Sequence, residues 1–452
     1  MSTTAGSGLP DDSPLPPLAE LALDAARQQG ADRYVINVSQ GERTAQRFRR
    51  GEIERLTQNR GRHLSVTLFF GQRAGSASTS ELTPEGIASA VASASTMARY
   101  GDADPWAGLP EPQQLAGDFR GLALFDPEEL SAEAARDLAL RTERAIEQAD
   151  PARCVSEGTE IVGWRGEFLL ANSHGFFAGY PSSSHTLWGH ALAKSAQDRQ
   201  QGFWQSTRRS PRLLDSPEAL GRTAAERALR QLDGGTLTTR RCPVLFEAPV
   251  AHSLVHQLVS ALSGGALARN ASFLGLCAGE AVAATHLSLL EDPFIPGGAA
   301  SGRFDGEGIA GSARTVLEAG VVNGYFLGSY SARRLGLAPT GNAGGAWNLS
   351  LHSAQTRPED SLAALVRRLH HGLLVTTLLG SGLNPLTGDY SQGVAGFWVE
   401  NGEIQRPVAG ITIAGNLQTM LRGVVALGAD VHEQGNLRCG SLLIDDMQVA
   451  GQ

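Results

Sequence analysis

The chain has 452 residues, 42% of them apolar and 19% charged, which is enough for two or three packed domains. The formal net charge is −8, and with no long basic run this argues against a partner held by phosphate contacts. No stretch approaches the roughly 20 uninterrupted apolar residues of a membrane span, and Cys154, Cys242, Cys277 and Cys439 lack the spacing of a metal knuckle or disulfide framework. Together these features fit a cytoplasmic protein with reduced thiols.

Met1 to Pro17 is rich in Ser, Thr, Gly and Pro and reads as a disordered tail. Leu18 to Gln29 has helical spacing and stops at Gly30. Tyr34–Val38 reads as a strand, Arg47–Leu56 as two short strands hinged at Gly51, and Leu64–Phe70 as a strand paired with Ala74–Thr79. Thr83 and Pro84 open a helix to about Arg99, as cap and first-turn residue. Gly101 to Pro112 reads as a linker, so residues 18–112 form an N-terminal α+β domain with its linker.

A middle α+β domain, 113–238, follows. Its helices run from Pro127 to Ala149 and from Ser216 to Leu232, and between them lie strands Cys154–Ile161, Trp164–Asn172, Phe176–Ser182, His185–Ala193 and Gln201–Arg208. His174, His185 and His190 have neither helical spacing nor accompanying carboxylates, so they do not read as a metal site. Residues 239–452 are glycine-rich, with short strands at Val282–Leu290, Thr315–Ala319, Val321–Leu327, Val394–Glu400 and Glu403–Val408. Asn401-Gly402 is a two-residue hairpin signal, and Ser361 to His370 is a helical interlude. The fold class is α+β throughout, ending in a mostly antiparallel β domain.

Pro249 to Leu262 is the stretch that carries a chemical question. Pro249 suits a first helical turn, Gly264 suits a left-handed position past the end, and Val250, Leu254, Leu258 and Leu262 make an apolar stripe. His252 and His256, four apart, project from one flank. A zinc peptidase helix needs such a pair plus a Glu to take a proton from the metal-bound water. Here Gln257 follows His256 and Ser253 follows His252, so two readings stand: a metal pair, or two hydrogen-bonded histidines beside a core stripe. Tyr330, Arg333 and Arg334 could hold a peptide carboxylate or main chain, or could make inter-domain contacts. Asn342, among glycines, fits a turn or a substrate-backbone contact. Asp305, Glu307 and Glu318 read as turn and surface carboxylates, and Gly341–Gly345 lacks the Lys-Ser/Thr ending of a phosphate loop.

Several long motifs occur in one order. They are Gly71–Ser80, Arg303-Phe-Asp-Gly-Glu-Gly-Ile309, Arg314–Tyr325, Ser329–Leu337, Thr340–Gly345, Gly388–Trp398, Ile411–Leu417 and Val449–Gln452. In these the chain resembles the PmbA/TldE branch of the TldD/PmbA family, described as metallopeptidases and as modulators of DNA gyrase. The resemblance implies a cytosolic subunit that pairs with a TldD-like chain, acts on unfolded or leader peptides, and leaves zinc to that partner. It places the family's His-Glu-x-x-x-His helix on His256, Gln257 and Ala261, and its downstream Cys near Gly380-Ser-Gly382, so the metal-site positions are degenerate and this chain binds no cofactor itself. It also leaves room for a homodimer, either when the chain is alone or as a peptidase using His252 and His256, and for a non-proteolytic regulator acting on gyrase.

Overall fold

The computed structural model describes residues 8–117 and 121–451; the first seven residues of the expected tail lie outside that range. The tail is shorter than its composition suggests. A turn joins Pro10 to Ser13, and helix α1 (Leu15–Gln28) begins with Leu15 fully buried. Pro16 and Pro17 fall in its first turn, where amide hydrogens have no helical acceptor and their lack costs nothing.

One six-stranded sheet underlies the first half. Its strands are β1 (Arg33–Arg49), β2 (Glu52–Phe70), β3 (Arg73–Thr79), β4 (Cys154–Asn172), β5 (Phe177–Lys194) and β6 (Arg199–Arg208), in the order β3-β2-β1-β4-β5-β6. β1 pairs with β4 from Val35↔Asn172 to Phe48↔Thr159, so the two expected α+β domains share one sheet. The strands are also longer than expected. Four of the short segments between Cys154 and Ala193 fuse into two strands, and β1 and β2 run on through polar residues such as Gln40, Arg43 and Gln58–Arg62. Apolar alternation fails there because that mid-section is largely solvent-facing. Helices α1 and α2 (Pro84–Tyr100) cover one end of the sheet, and α3 (Ala132–Ala149) and α4 (Pro217–Leu229) the other.

Local signals explain the helix boundaries. The Thr83 hydroxyl accepts from the Gly86 amide at 3.1 Å, and Ser216 does the same for Ala219. α3 starts later than Pro127 because Ser131 is its cap, bonding the Ala134 amide at 3.1 Å. Glu128 and Glu129 stay outside it, paired with Arg212 and Arg165. Arg50 and Gly51, both at positive φ, make the tight β1–β2 turn.

The second half contains two further sheets. One has β8 (Leu287–Asp292), β9 (Arg314–Glu318), β10 (Val321–Val322), β11 (Asn348–Ser353), β16 (His432–Gln434) and β17 (Leu437–Cys439), in the order β10-β9-β8-β11-β17-β16. The other has β7 (Arg240–Phe246), β12 (Gly372–Leu379), β13 (Asp389–Glu400), β14 (Glu403–Asn416), β15 (Val424–Leu427) and β18 (Leu442–Ala450). Here β14 also pairs with β18, closing β7-β12-β13-β14-β18 into a ring. Pairing is antiparallel except for β7–β12 and β11–β17. The hairpin at Asn401-Gly402 forms as expected, and a second one turns at Ala319-Gly320, each residue at positive φ. Helices α5 (Ala248–Ala261), α6 (Gly264–Ala268), α7 (Ser329–Leu335), α8 (Leu362–Leu369) and α9 (Leu417–Arg422) complete the unit.

Several contacts join the halves, three of them through side chains that bear on the site. Phe304 enters an aromatic cluster on the first sheet, its ring 5.0 Å from Phe176 and 5.5 Å from Tyr180. Arg333 clamps the linker: Nε and both terminal nitrogens donate to the carbonyls of Trp106, Leu109 and Gly108 at 2.7–2.9 Å. Glu247, buried at the start of α5, accepts from Arg227 and Arg230 of the α4 segment at 2.9 and 3.0 Å.

Candidate functional site

Helix α5 buries Ala251, Leu254, Val255 and Leu258 in the main core, with Pro249 in its first turn. Gly264 has a different place from the one its sequence suggests. It does not end α5 in a left-handed turn but opens α6, capped by Ser263. A Cβ there would meet Ser331 Oγ at 2.2 Å, so glycine lets α6 and α7 touch.

The two histidines of α5 have separate environments. His252 is 4% exposed; its Nε2 lies 3.0 Å from the His432 carbonyl oxygen, and the two rings stack at 5.5 Å. Burial, then the neighbouring His432, pushes its pKa down to about 4, so it is neutral at physiological pH. His256, one turn on, remains exposed. The shared flank therefore does not produce a metal pair: β16 begins at His432, over His252, and takes that ring into the interior. Of the two other positions that the resemblance groups with His256, Gln257 is half-buried with Oε1 unpartnered, and Ala261 is 6% exposed. Among the described residues no three His, Cys, Asp or Glu side chains converge as metal ligands. The donor set that a zinc ion requires does not fit here: one imidazole, an amide and a methyl offer too few ligands and no base.

His256 lines an open groove of about 620 Å³ between α5–α7 and the loop Asn342–Ala346. Tyr330, 40% exposed on α7, stands on its rim. Gly344 and Gly345 lie at positive φ with open space where a Cβ would project, so the loop presents bare main chain to the groove.

Buried polar contacts hold that loop. Asn342 Nδ2 donates to Glu291 Oε1 at 2.7 Å and to the Gly345 carbonyl at 3.1 Å, while its Oδ1 accepts from Thr340 and Arg314. Its amide is thus occupied in shaping the turn. Asp305 accepts from the amides of Glu307, Ile309 and Ala343, each at 2.9 Å, and Glu307 accepts from the Ser329 amide at 2.7 Å, fixing the start of α7. Two expectations narrow accordingly. Arg333, read as a peptide ligand or an inter-domain contact, spends its guanidinium on the linker, and Asp305, read as a turn or surface carboxylate, shapes its turn from a buried position. Arg334 and Glu318 are exposed. Glu291 was not legible as functional, because it sits in an apolar strand, Leu287-Ser-Leu-Leu-Glu291, with no motif around it.

Burial raises the Asp305 carboxyl to about 6, against the downward pull of its three N–H bonds. The sign follows from linkage: the folded pKa lies above the unfolded value, so the protonated acid favours the fold. That contribution is complete below the ordinary aspartate range and is lost as pH rises through about 6. Denaturant titrations between pH 4 and 7 should show this loss in the native protein, and Asp305→Asn should remove it from the pH dependence.

An α+β chain whose ligand-poor helix borders a groove of bare main chain is the class of protein defined so far. Family profiles of the PmbA/TldA metallopeptidases match its three parts: domain 1 at residues 34–98, the central domain at 125–232 and the C-terminal domain at 239–451. The chain belongs to the PmbA/TldD metallopeptidase family. It is 38% identical over 432 residues to metalloprotease PmbA of Escherichia coli O157:H7, covering 96% of this chain and 94% of that one. A Haemophilus influenzae PmbA homolog is 36% identical, with 88% of each chain covered. A solved structure described as a putative modulator of DNA gyrase from Bacteroides thetaiotaomicron superposes with a TM-score of 0.90 at 26% identity, covering 96% and 98%. TldE from Thermococcus kodakarensis shares the fold, with a TM-score of 0.80 at 20% identity over 95% and 100% of the chains.

Proposed function

We infer that this chain is the PmbA/TldE-type subunit of a cytoplasmic two-chain peptidase, in which a TldD-like partner holds the zinc ion, the water and the base. This chain contributes the groove beside His256. An extended, unfolded segment or leader peptide lies against the loop Asn342–Ala346, whose exposed main chain offers hydrogen bonds without strict sequence demands. His256 and Tyr330 contact that peptide from the opposite wall.

The observation that carries this reading is the chemistry beside His256, where Gln257 and the buried Ala261 stand in place of a second and third catalytic group. A glutamine amide has no useful basicity, and a methyl binds no cation.

Co-expression with a TldD-like chain from the same genome tests the proposal. The two should co-elute, and cleavage of an unfolded peptide should appear only when both are present. Tyr330→Ala in this chain should raise KM while kcat changes less, because it removes binding and not chemistry. Cleavage by the isolated chain, or separate elution of two folded chains, would contradict it.

A further inference from the structure

A second cavity lies away from the groove, at the junction of the two halves. It has a volume of about 330 Å³ and is walled by β6, α4, the start of α5, β12 and β16. Its charged lining has one sign: Arg227 and Arg230 face it, and no carboxylate is among its lining residues. The one buried acid nearby, Glu247, is shared between both guanidiniums, which leaves one positive charge in excess. Arg230 Nε is out of solvent and has no hydrogen-bond partner, an arrangement that costs free energy until an acceptor arrives. His432 brings no anion to the site; burial, and then Arg227, hold its pKa down.

The rest of the lining is uncharged: glutamine, serine and threonine side chains share it with an apolar and aromatic part. In that part Trp204 lies under the Arg227 guanidinium at 5.2 Å, Phe203 is 56% exposed on the edge strand β6, and Val250 and Leu378 stand beside them. The volume suits one amino-acid-sized group. A phosphate would use the charge but leave the rings uncovered; a neutral apolar ligand would cover the rings but leave Arg230 Nε unpaired.

We propose that this cavity binds a small carboxylate bearing an apolar or aromatic group, with Arg230 and Arg227 on the carboxylate and Trp204 and Phe203 on the apolar part. The ligand bridges the sheet of the first half and the β-rich second half. The site does not depend on the peptide groove beside His256. Its chemistry matches both a free aromatic acid and the C-terminal residue of a peptide.

Titration calorimetry on the full chain separates the outcomes, using phenylacetate, N-acetyl-L-phenylalanine, its amide, the free acid of acetyl-Ala-Ala-Ala-Phe, and inorganic phosphate. Binding of the acids with loss of about tenfold or more for the amide is the expected result, since a charge-assisted hydrogen bond is removed. If the tetrapeptide binds, the source includes peptide C-termini; if only phenylacetate and the acetylated amino acid bind, it is a free small acid. Arg230→Gln should weaken the acids by about the same factor. Ser253→Leu, which fills the cavity from α5 without touching the charge, should abolish binding while the melting temperature stays near that of the native chain. Tyr330→Ala should leave it unchanged. Equal binding of acid and amide, phosphate as the only ligand, no binding of any probe, or a folded Arg230→Gln chain that binds as the native one does, would each overturn the proposal.

Discussion

Glu291→Ala should destabilise the chain by roughly 3–5 kcal/mol, the cost of breaking a buried ion pair from one side. Glu291 is buried on β8 and holds three groups: Arg314 Nε at 2.7 Å, Asn342 Nδ2 at 2.7 Å and the Trp347 amide at 2.8 Å. Without it Arg314 keeps its charge in the interior with only the Tyr325 carbonyl and Asn342 Oδ1 as acceptors. Asn342 loses the anchor of the groove loop at the same time. Urea unfolding of the purified chain would measure the loss, and Glu291→Gln should recover part of it by keeping an acceptor oxygen. A loss below about 1 kcal/mol would mean that water reaches Arg314 and that the loop is held by other bonds.

Glu247→Ala is the second large effect, and it acts between the halves. Among the described residues its carboxylate is the only acid that Arg227 and Arg230 contact, and Arg227 is mostly buried with the Thr376 carbonyl as its other acceptor. Removal leaves two guanidiniums facing each other across a site with no anion, so we expect a loss of roughly 3 kcal/mol. The loss should be localised. Hydrogen exchange should quicken in α4 and at the start of α5 well before β1 and β2 open, because the ion pairs, ring contacts and carbonyl bond of Arg227 and Arg230 go to other elements. Uniform quickening across both halves would show instead that the contribution of Glu247 is global and not localised to the junction.

The parts of this fold that were legible in the sequence are those fixed by local chemistry. Thr83, Ser216 and Ser361 cap the helices they announce, and Asn401-Gly402 turns where its tolerance of positive φ requires. What escaped is set by distant partners. The continuity of β1 with β4 depends on a neighbour more than 100 residues away, and polar residues such as Arg43 in their mid-section carry no alternation to reveal it. Helix α7 is too short for a periodic pattern, though Gly336 in its left-handed cap was a usable signal.

The site shows the same division. The amide and methyl at Gln257 and Ala261 stand where the resemblance puts the Glu and second His of the family's helix. The divergence of His252 from His256 could not be read from the sequence, because it depends on His432 arriving from β16, 180 residues on. Likewise Arg333 belongs by composition to either a ligand site or a contact, and only the position of carbonyls 106, 108 and 109 decides between them.

The central claim is that this chain supplies groove and scaffold while its partner supplies the metal chemistry. Elemental analysis of the isolated chain, expressed without any TldD-like protein and dialysed against trace zinc, tests it most directly. The account predicts zinc far below one ion per chain and no change on His256→Ala. Zinc near one per chain, lost in His256→Ala together with cleavage of an unfolded peptide, would contradict it.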